Sequence, residues 1–339
     1  MSFYSVLIKR LAQGAPVLLG LSILVFFISR VLPGDPVRLA LGPTASEETV
    51  NQLRAEMGLN QPLYMQYVDW LFGIVRGDWG QSLRTGNNTF TDIVVRLPAT
   101  LELVLVAILI AITLAIPLGV IAATNKDGWP DHFSRVVALL GVSMPRFWVA
   151  ILFQVIFVGW LGLFPLTGRL SSGVEPPPAI THMYLIDSVI AGQWATFLDT
   201  LMHITLPAVA LSLATLAQVM RLLRSDMIEE ENKDYVTAVR GYGLPSGIIE
   251  YKYKLKNAFS SSLTLIGLAF GTLFGNAFLV ELVFAWPGMA HYGVEAILYQ
   301  DFNAIVGVTL VVGIIFVLVN IAVDLTYGYL DPRIRHRGE

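Results

Sequence analysis

Long apolar runs alternate with polar stretches along this chain, and the runs are near the length that a helix needs to cross a hydrocarbon core of about 30 Å. Six spans are predicted on that pattern: Leu11–Ser29, Leu97–Ala123, a third within Phe133–Phe164, Thr200–Leu222, Phe259–Phe284 and Phe302–Tyr329. A transmembrane β-barrel would instead show short alternating segments. Lys9-Arg10 precede the first run, as in a signal peptide. That run exceeds the usual h-region, however, and no small-x-small cleavage site follows it before Arg30, so it is read as a retained span. In the third run Pro145 is expected to kink the helix and free backbone carbonyls. Arg146 beside it is either a pathway residue or a side chain that snorkels to an interface. Gly267, Gly271 and Gly275 stand four apart in the fifth span, so they share one face that lets another helix approach closely.

The polar stretches have structure of their own. Leu32-Pro33-Gly34-Asp35-Pro36 breaks the first helix, and residues 32–96 are predicted to form a small extracytoplasmic helical domain. Within it Ser46 with Glu47 and Glu48 marks a helix start and Gly58 a stop, Pro62 suits a first helical turn, and Gly77-Asp78-Trp79-Gly80 is turn-like. Tyr64, Tyr67, Trp70 and Leu71 form an apolar stripe, expected to pack on itself or on the membrane interface. The division is therefore 1–31 for the tail and first span, 32–96 for the outer domain, and 97–339 for a five-helix core with an inner loop at 221–258.

That inner loop is the most distinctive polar segment. Asp234 is expected to cap a short helix on which Tyr235, Ala238 and Val239 recur at three- and four-residue spacing as an apolar face. Gly241 and Gly243 follow, Leu244-Pro245 ends the helix, and a second helical pattern resumes near Ser246. A helix, a glycine turn and a helix on a membrane surface can act as a knob for a partner's groove or stand as a solvated loop. The run Glu229-Glu230-Glu231 reads as a solvated charge run.

Composition and charge narrow the class. Of 339 residues, 55% are hydrophobic and only 14% charged, against about 25% charged in soluble domains, so the chain is an all-α polytopic membrane protein. It has no cysteine, which excludes disulfides, thiolate nucleophiles and Cys-ligated metals. A formal net charge of −3 argues against nucleic acid. Basic residues in segments taken as inner outnumber those taken as outer by about two to one, which predicts both termini and the Asp234 loop in the cytoplasm. No G-x-x-x-x-G-K-[ST] phosphate loop occurs, nor HExxH or GxSxG, so no catalytic residue, cofactor or metal site is expected. A secondary transporter would show paired ionisable residues mid-membrane and an internal repeat. Glu102 and Glu281 instead lie near outer span ends and Asp324 near an inner one, and His203 reads as a satisfied structural histidine.

The stretch DYVTAVRGYGL, Asp234–Leu244, resembles the EAA loop of ABC-importer permeases, with Thr237-Ala238-Val239 at the EAA positions, Gly243 at the loop glycine, and the match continuing through Lys256-Asn257-Ala258. Thr237 replaces the family's acidic residue, and Ser261 stands where the peptide branch usually has proline. Leu32-Pro33-Gly34-Asp35-Pro36, Gly58-Leu59 with Pro62, Gly77-Asp78-Trp79-Gly80, Leu97-Pro98-Ala99-Thr100-Leu101-Glu102-Leu103, Ser143-Met144-Pro145 with Phe147-Trp148, Trp286-Pro287-Gly288 and Asp331-Pro332-Arg333-Ile334-Arg335 follow in order. Together they resemble the B-type permease of the dipeptide/oligopeptide and nickel ABC importers. The resemblance implies the type I importer permease fold in a prokaryotic cell membrane. It also implies a C-type partner permease, two ATP-binding subunits and an extracytoplasmic solute-binding protein. ATP hydrolysis would lie on the separate subunits, coupled through Asp234, Tyr235, Thr237, Ala238, Val239, Arg240, Gly241, Gly243 and Leu244. The cargo it implies is peptide, with oligosaccharide or nickel as the alternative. Gln154, Gln218, Asn276 and Asn320 could line the route or act as interhelical hydrogen-bonding residues.

Overall fold

The computed structural model describes residues 3–31, 37, 41, 46–56 and 58–330. The sequence motifs at Leu32–Pro36 and Asp331–Arg335, and the side chain of Asp324, lie outside the described residues. Among the described residues the regular structure is helical apart from one isolated bridge, Gln81 to Asn88. Five helices among the described residues are long and apolar enough to cross a membrane, or six if one sharply bent pair counts as a single span. The chain divides into two units, Met1–Leu97 with Tyr292–Glu339, and Pro98–His291.

In the first unit α1 (Phe3–Val31) packs along α12 (Phe302–Leu330). Val25, Val306 and Leu310 form the buried contact, with Leu21, Trp70 and Ile74 against it. Ser46 caps α2 (Glu47–Glu56) through its hydroxyl, which accepts the Thr49 N–H at 3.2 Å, and Gly58 ends that segment at φ +66°. Both were expected from residue type, because a short hydroxyl satisfies an orphan helix N–H and glycine takes positive φ without a Cβ clash. In α3 (Leu63–Val75) Tyr67 and Trp70 pack on each other and on Phe26 of α1, whereas Tyr64 is exposed. The turn at Gly77–Gly80 forms as predicted, with both glycines at positive φ and the Asp78 carboxylate accepting the Gly80 N–H at 3.2 Å. Asp301 caps α12, accepting the Ala304 N–H at 3.2 Å and the Ser82 hydroxyl at 2.5 Å.

The second unit is built around α8 (Trp194–Glu230), against which α5 (Trp129–Ser143), α6 (Arg146–Trp160), α7 (Tyr184–Ile190) and α10 (Ser246–Val283) pack. Its inward side mixes small residues, Ala208, Ala210, Ser212, Thr215 and Ala217, with large ones such as Ile204, Leu211, Met220 and Leu223. Facing glycines let neighbours come close: a Cβ on Gly141 would meet Ala217 at 2.9 Å, and one on Gly119 the Met220 carbonyl at 3.1 Å. Residues 98–124 of α4 (Thr89–Thr124) contribute Ala111, Ala115 and Val120 to the same core.

Pro145 does more than kink its helix. The axes of α5 and α6 meet at 109°. Met144 is extended at ψ 132° and Pro145 at ψ 135°, so two residues leave the helical region together. The residue before a proline is pushed out of the α region, and proline donates no N–H. The latter part of α6, Gln154–Trp160, is a π-helix, which the sequence pattern did not foretell. Predicted and observed span ends also differ. The helices holding the second and fourth predicted spans run from Thr89 and to Glu230, because their polar flanks continue the helix, as in the Arg96–Asp92 pair one turn apart.

Candidate functional site: the Asp234 loop

The loop between α8 and α10 carries one short helix, α9 (Asp234–Gly241). Its N-cap is Lys233, without a side-chain cap bond, so Asp234 sits in the first turn, where a carboxylate faces the positive end of the helix dipole, and not at the cap position expected for it. The buried anchor of α9 is Val236, fully buried, with Tyr235 and Val239 half-buried. Ala238, expected on the inner face, is exposed with Thr237, Arg240, Gly241, Tyr242 and Gly243. Tyr235, Val236 and Val239 are one i, i+1, i+4 face, and sequence spacing alone did not separate it from the face through Ala238. The loop thus points outward a small-residue surface ending in Tyr242, which is 85% exposed.

Gly243 adopts φ +73°, and a Cβ built there would meet nothing within 4 Å. Backbone conformation, not crowding, therefore demands glycine at this turn. Leu244 is half-buried, and Pro245 at ψ 141° opens α10. Residues Ile249–Lys254 of α10 are again π-helical.

Of the run Glu229-Glu230-Glu231, Glu229 stays solvated, its side chain 74% exposed, whereas Glu230 and Glu231 are half-buried and bonded. Glu229 meets the Lys233 ammonium at 3.1 Å, Glu230 accepts the Tyr235 hydroxyl, and Glu231 accepts from Arg240 at 2.6 Å and from Lys254 at 2.7 Å. Lys254 is itself buried and lies 2.8 Å from Glu250. The hydrogen bond from Lys254, then that from Arg240, hold the Glu231 carboxyl below its ordinary value against the opposing effect of burial. Burial and the Glu230 carboxylate beside it push the Tyr235 phenol up. These contacts tie α9 to the end of α8 and the start of α10. The signal missed was Lys254, whose partner stands 23 residues away.

Where α5 begins, Asp131 is fully buried and accepts from Arg224 of α8 and from Arg135 at 2.7 Å, which joins α5 to the last turns of α8. Two further buried charge sites bring sequence motifs together. Thr100 donates to Glu281 at 2.6 Å and accepts the Met289 N–H at 2.8 Å, Glu281 accepts the His291 N–H at 2.8 Å, and the Trp286 indole donates to the Ala99 carbonyl at 3.0 Å. A Cβ on Gly288 would strike the Glu281 carboxylate. The Pro98–Leu103 and Trp286–Gly288 motifs are thus one buried junction, with Glu281 facing the start of α11 (Met289–Leu298). Beside it Glu102 pairs with Arg169 at 2.6 Å, and Arg169 lies over the Tyr184 ring at 3.5 Å. His203 is buried, its ring Nδ1 2.8 Å from the Asp199 carbonyl, in keeping with a structural role.

The polar candidates for a route each have their own partners or surroundings. Gln154 donates to the Leu166 and Val283 carbonyls at 3.1 and 3.0 Å, which fixes the π-helical segment to the end of α10. Asn276 and Asn320 donate to carbonyls of their own helices, Thr272 and Phe316. Gln218 lines a cavity with Arg221, Leu222, Ser225 and Leu265. Arg146 is half-buried, with one guanidinium nitrogen buried and unbonded among the described residues. Gly267, Gly271 and Gly275 share a face of α10, and a Cβ on Gly275 would meet nothing.

Comparison with known proteins now bears on this arrangement. Residues 115–336 match the family described as binding-protein-dependent transport system inner membrane component, and residues 3–105 match the N-terminal region of the same class. The chain is 40% identical over 338 residues to a probable D,D-dipeptide transport system permease protein of Escherichia coli K12, covering 100% of this chain and 99% of the relative. It is 39% identical to a dipeptide transport system permease protein of Alkalihalophilus pseudofirmus, covering 97% and 98%. It is 36% identical to a di/tripeptide transport system permease protein of Pseudomonas aeruginosa, covering 98% and 99%. With a multi-span helical chain matched from end to end, the protein belongs to the family of binding-protein-dependent transport system inner membrane components.

Proposed function

We propose that this chain is the permease subunit of an ATP-driven importer of di- and oligopeptides. It forms the translocation path with a second, C-type permease and couples to two separate ATPase subunits through Asp234–Leu244. The observation that carries the coupling role is the clamped loop: α9 is held to α8 and α10 by Val236 and by Glu231 with Lys254 and Arg240, while Thr237, Ala238, Gly241, Tyr242 and Gly243 face outward. A knob so tied transmits displacement to α8 and α10 instead of flexing by itself. The full-length similarity to permeases of dipeptide systems supports peptide as cargo. An extracytoplasmic binding protein would deliver the peptide. Gly267, Gly271 and Gly275 are the proposed helix-packing face, and Gln218 is the proposed lining residue of the route.

In this reading both termini and the Asp234 loop are cytoplasmic, and the helical domain of residues 32–96 lies outside. Because the chain has no cysteine, single thiols report side. A cysteine replacing Asn88 is expected to react with an impermeant thiol reagent on intact cells, and one replacing Glu230 only after the membrane is opened. The reverse pattern overturns the orientation. Function is tested by uptake of a labelled dipeptide into proteoliposomes. The assembly with partner permease, ATPases and binding protein is expected to transport, and this chain alone neither to transport nor to hydrolyse ATP. ATPase activity in a preparation of the chain alone would end the permease-subunit reading.

A further inference from the structure

Gln218, Arg221, Leu222 and Ser225 recur at i, i+3, i+4 and i+7 on α8 and so share one face of it. With Leu265 of α10 they line a cavity of about 420 Å³, within the roughly 300–1,000 Å³ of small-ligand sites. Its lining carries a single charge, Arg221, with a carboxamide about one turn to one side and a hydroxyl to the other. Arg224, three residues on, is bound by the buried Asp131 carboxylate, whereas Arg221 is exposed and has no ion pair among the described residues. One guanidinium of α8 is thus used to hold the fold, and the next faces a cavity. Arginine presents a planar fork of donors that matches a carboxylate with two parallel bonds, and Leu222 and Leu265 give the site apolar walls beside it.

We propose that this cavity receives the terminal carboxylate of a peptide in transit, with Arg221 as the anion-binding group and Gln218 and Ser225 hydrogen-bonding beside it. The proposal rests on the peptide-importer reading and adds a point at which the permease itself recognises its cargo. Every unmodified linear peptide ends in a carboxylate whatever its side chains, so one arginine recognises the class without reading sequence. From Arg221 the same helix runs on to Glu230, where the clamp on α9 begins.

The test uses the complex reconstituted with its partner permease and ATPase subunits in liposomes of neutral phosphatidylcholine. Ser225→Cys sets the chain's one thiol in the cavity wall, and its labelling rate is read on this chain with anionic and cationic thiosulfonate reagents. The anionic reagent is expected to react faster by about tenfold or more, as an adjacent fixed charge produces. Arg221→Gln should erase that preference, and Arg221→Lys should keep it. Free-acid alanyl-alanine should slow labelling, and its C-terminal amide should not. With lysine this protection should weaken, since the two-bond fork is lost. Equal reagent rates, or equal protection by acid and amide, overturn the proposal. So does protection that comes only from added phosphatidylglycerol, which would make Arg221 a lipid-headgroup contact. Leu222→Cys serves as the second probe should Ser225→Cys fail to assemble. Dipeptide uptake by the unmodified assembly with its binding protein is measured alongside. Absence of uptake fails the importer reading, whereas uptake without charge preference at the thiol fails only the carboxylate site.

Discussion

In the proposed importer, Gly243→Val is expected to abolish peptide uptake while leaving the chain inserted and paired with the second permease. Gly243 sits at φ +73° between α9 and the Leu244-Pro245 start of α10. A β-branched residue is strongly disfavoured there, at a cost of about 1–3 kcal/mol. That is small beside the packing of several spans, but of the same order as a docking contact. No atom lies within 4 Å of the added Cβ, so the strain is relieved by re-routing the turn and not by moving a neighbour. The outward face of α9 then shifts relative to the clamp at Glu231. Conformation, as opposed to bulk, predicts an order of uptake of glycine, then asparagine, then alanine, then valine, because asparagine tolerates positive φ better than other side chains. Gly247→Ala, at a helical position with nothing within 4 Å and no positive φ, is the control and should leave uptake unchanged. Uptake by the reconstituted complex and co-purification of the ATPase subunits are the measurements. Valine at 243 with full uptake and bound ATPases would remove Asp234–Leu244 from the coupling role.

What was legible in the sequence was local. Gly243, Gly58 and the Gly77–Gly80 turn could be read because positive φ selects glycine within one residue. Ser46 could be read because a cap reaches only three residues. The apolar runs marked the spans, yet not their ends: Thr89–Arg96 and Asp226–Glu230 carry charged residues and are still helical. Pro145 was legible as a break, but not its 109° extent, which arises because Met144 leaves the helix as well.

What was not legible was pairing at distance. Glu231 with Lys254, Glu102 with Arg169, Thr100 with Glu281 and Ser82 with Asp301 lie 23, 67, 181 and 219 residues apart. Nothing in residue type says which charge meets which, so Glu229–Glu231 has the pattern of a solvated run and Asp301 carries no signal of its own. On α9 itself the spacing pointed to Ala238, and packing chose Val236. A helix of eight residues offers two overlapping apolar faces, and only the neighbours it rests on decide between them.

Loss of the Arg169–Glu102 pair is expected to be the most destabilising single change in the second unit. The two side chains are 8% and 3% exposed and meet at 2.6 Å. Glu102 also accepts the Leu185 N–H at 2.7 Å, and Arg169 donates to the His182 carbonyl at 3.2 Å, so the pair binds the first turn of α7 and the segment that leads into it. Arg169→Met keeps much of the stem's packing but strands a buried carboxylate, a change that typically costs about 3–5 kcal/mol. Adding Glu102→Gln removes the stranded charge while retaining an acceptor for Leu185, and replacing both members of a buried pair is often close to neutral. The double variant is therefore expected to recover most of the lost thermal stability. Unfolding of the purified complex in detergent, monitored by size exclusion after graded heating, gives the comparison. If the single and double variants fall equally, the ion pair is not what stabilises this segment. The loss would then belong to the arginine itself, stacked 3.5 Å over the Tyr184 ring.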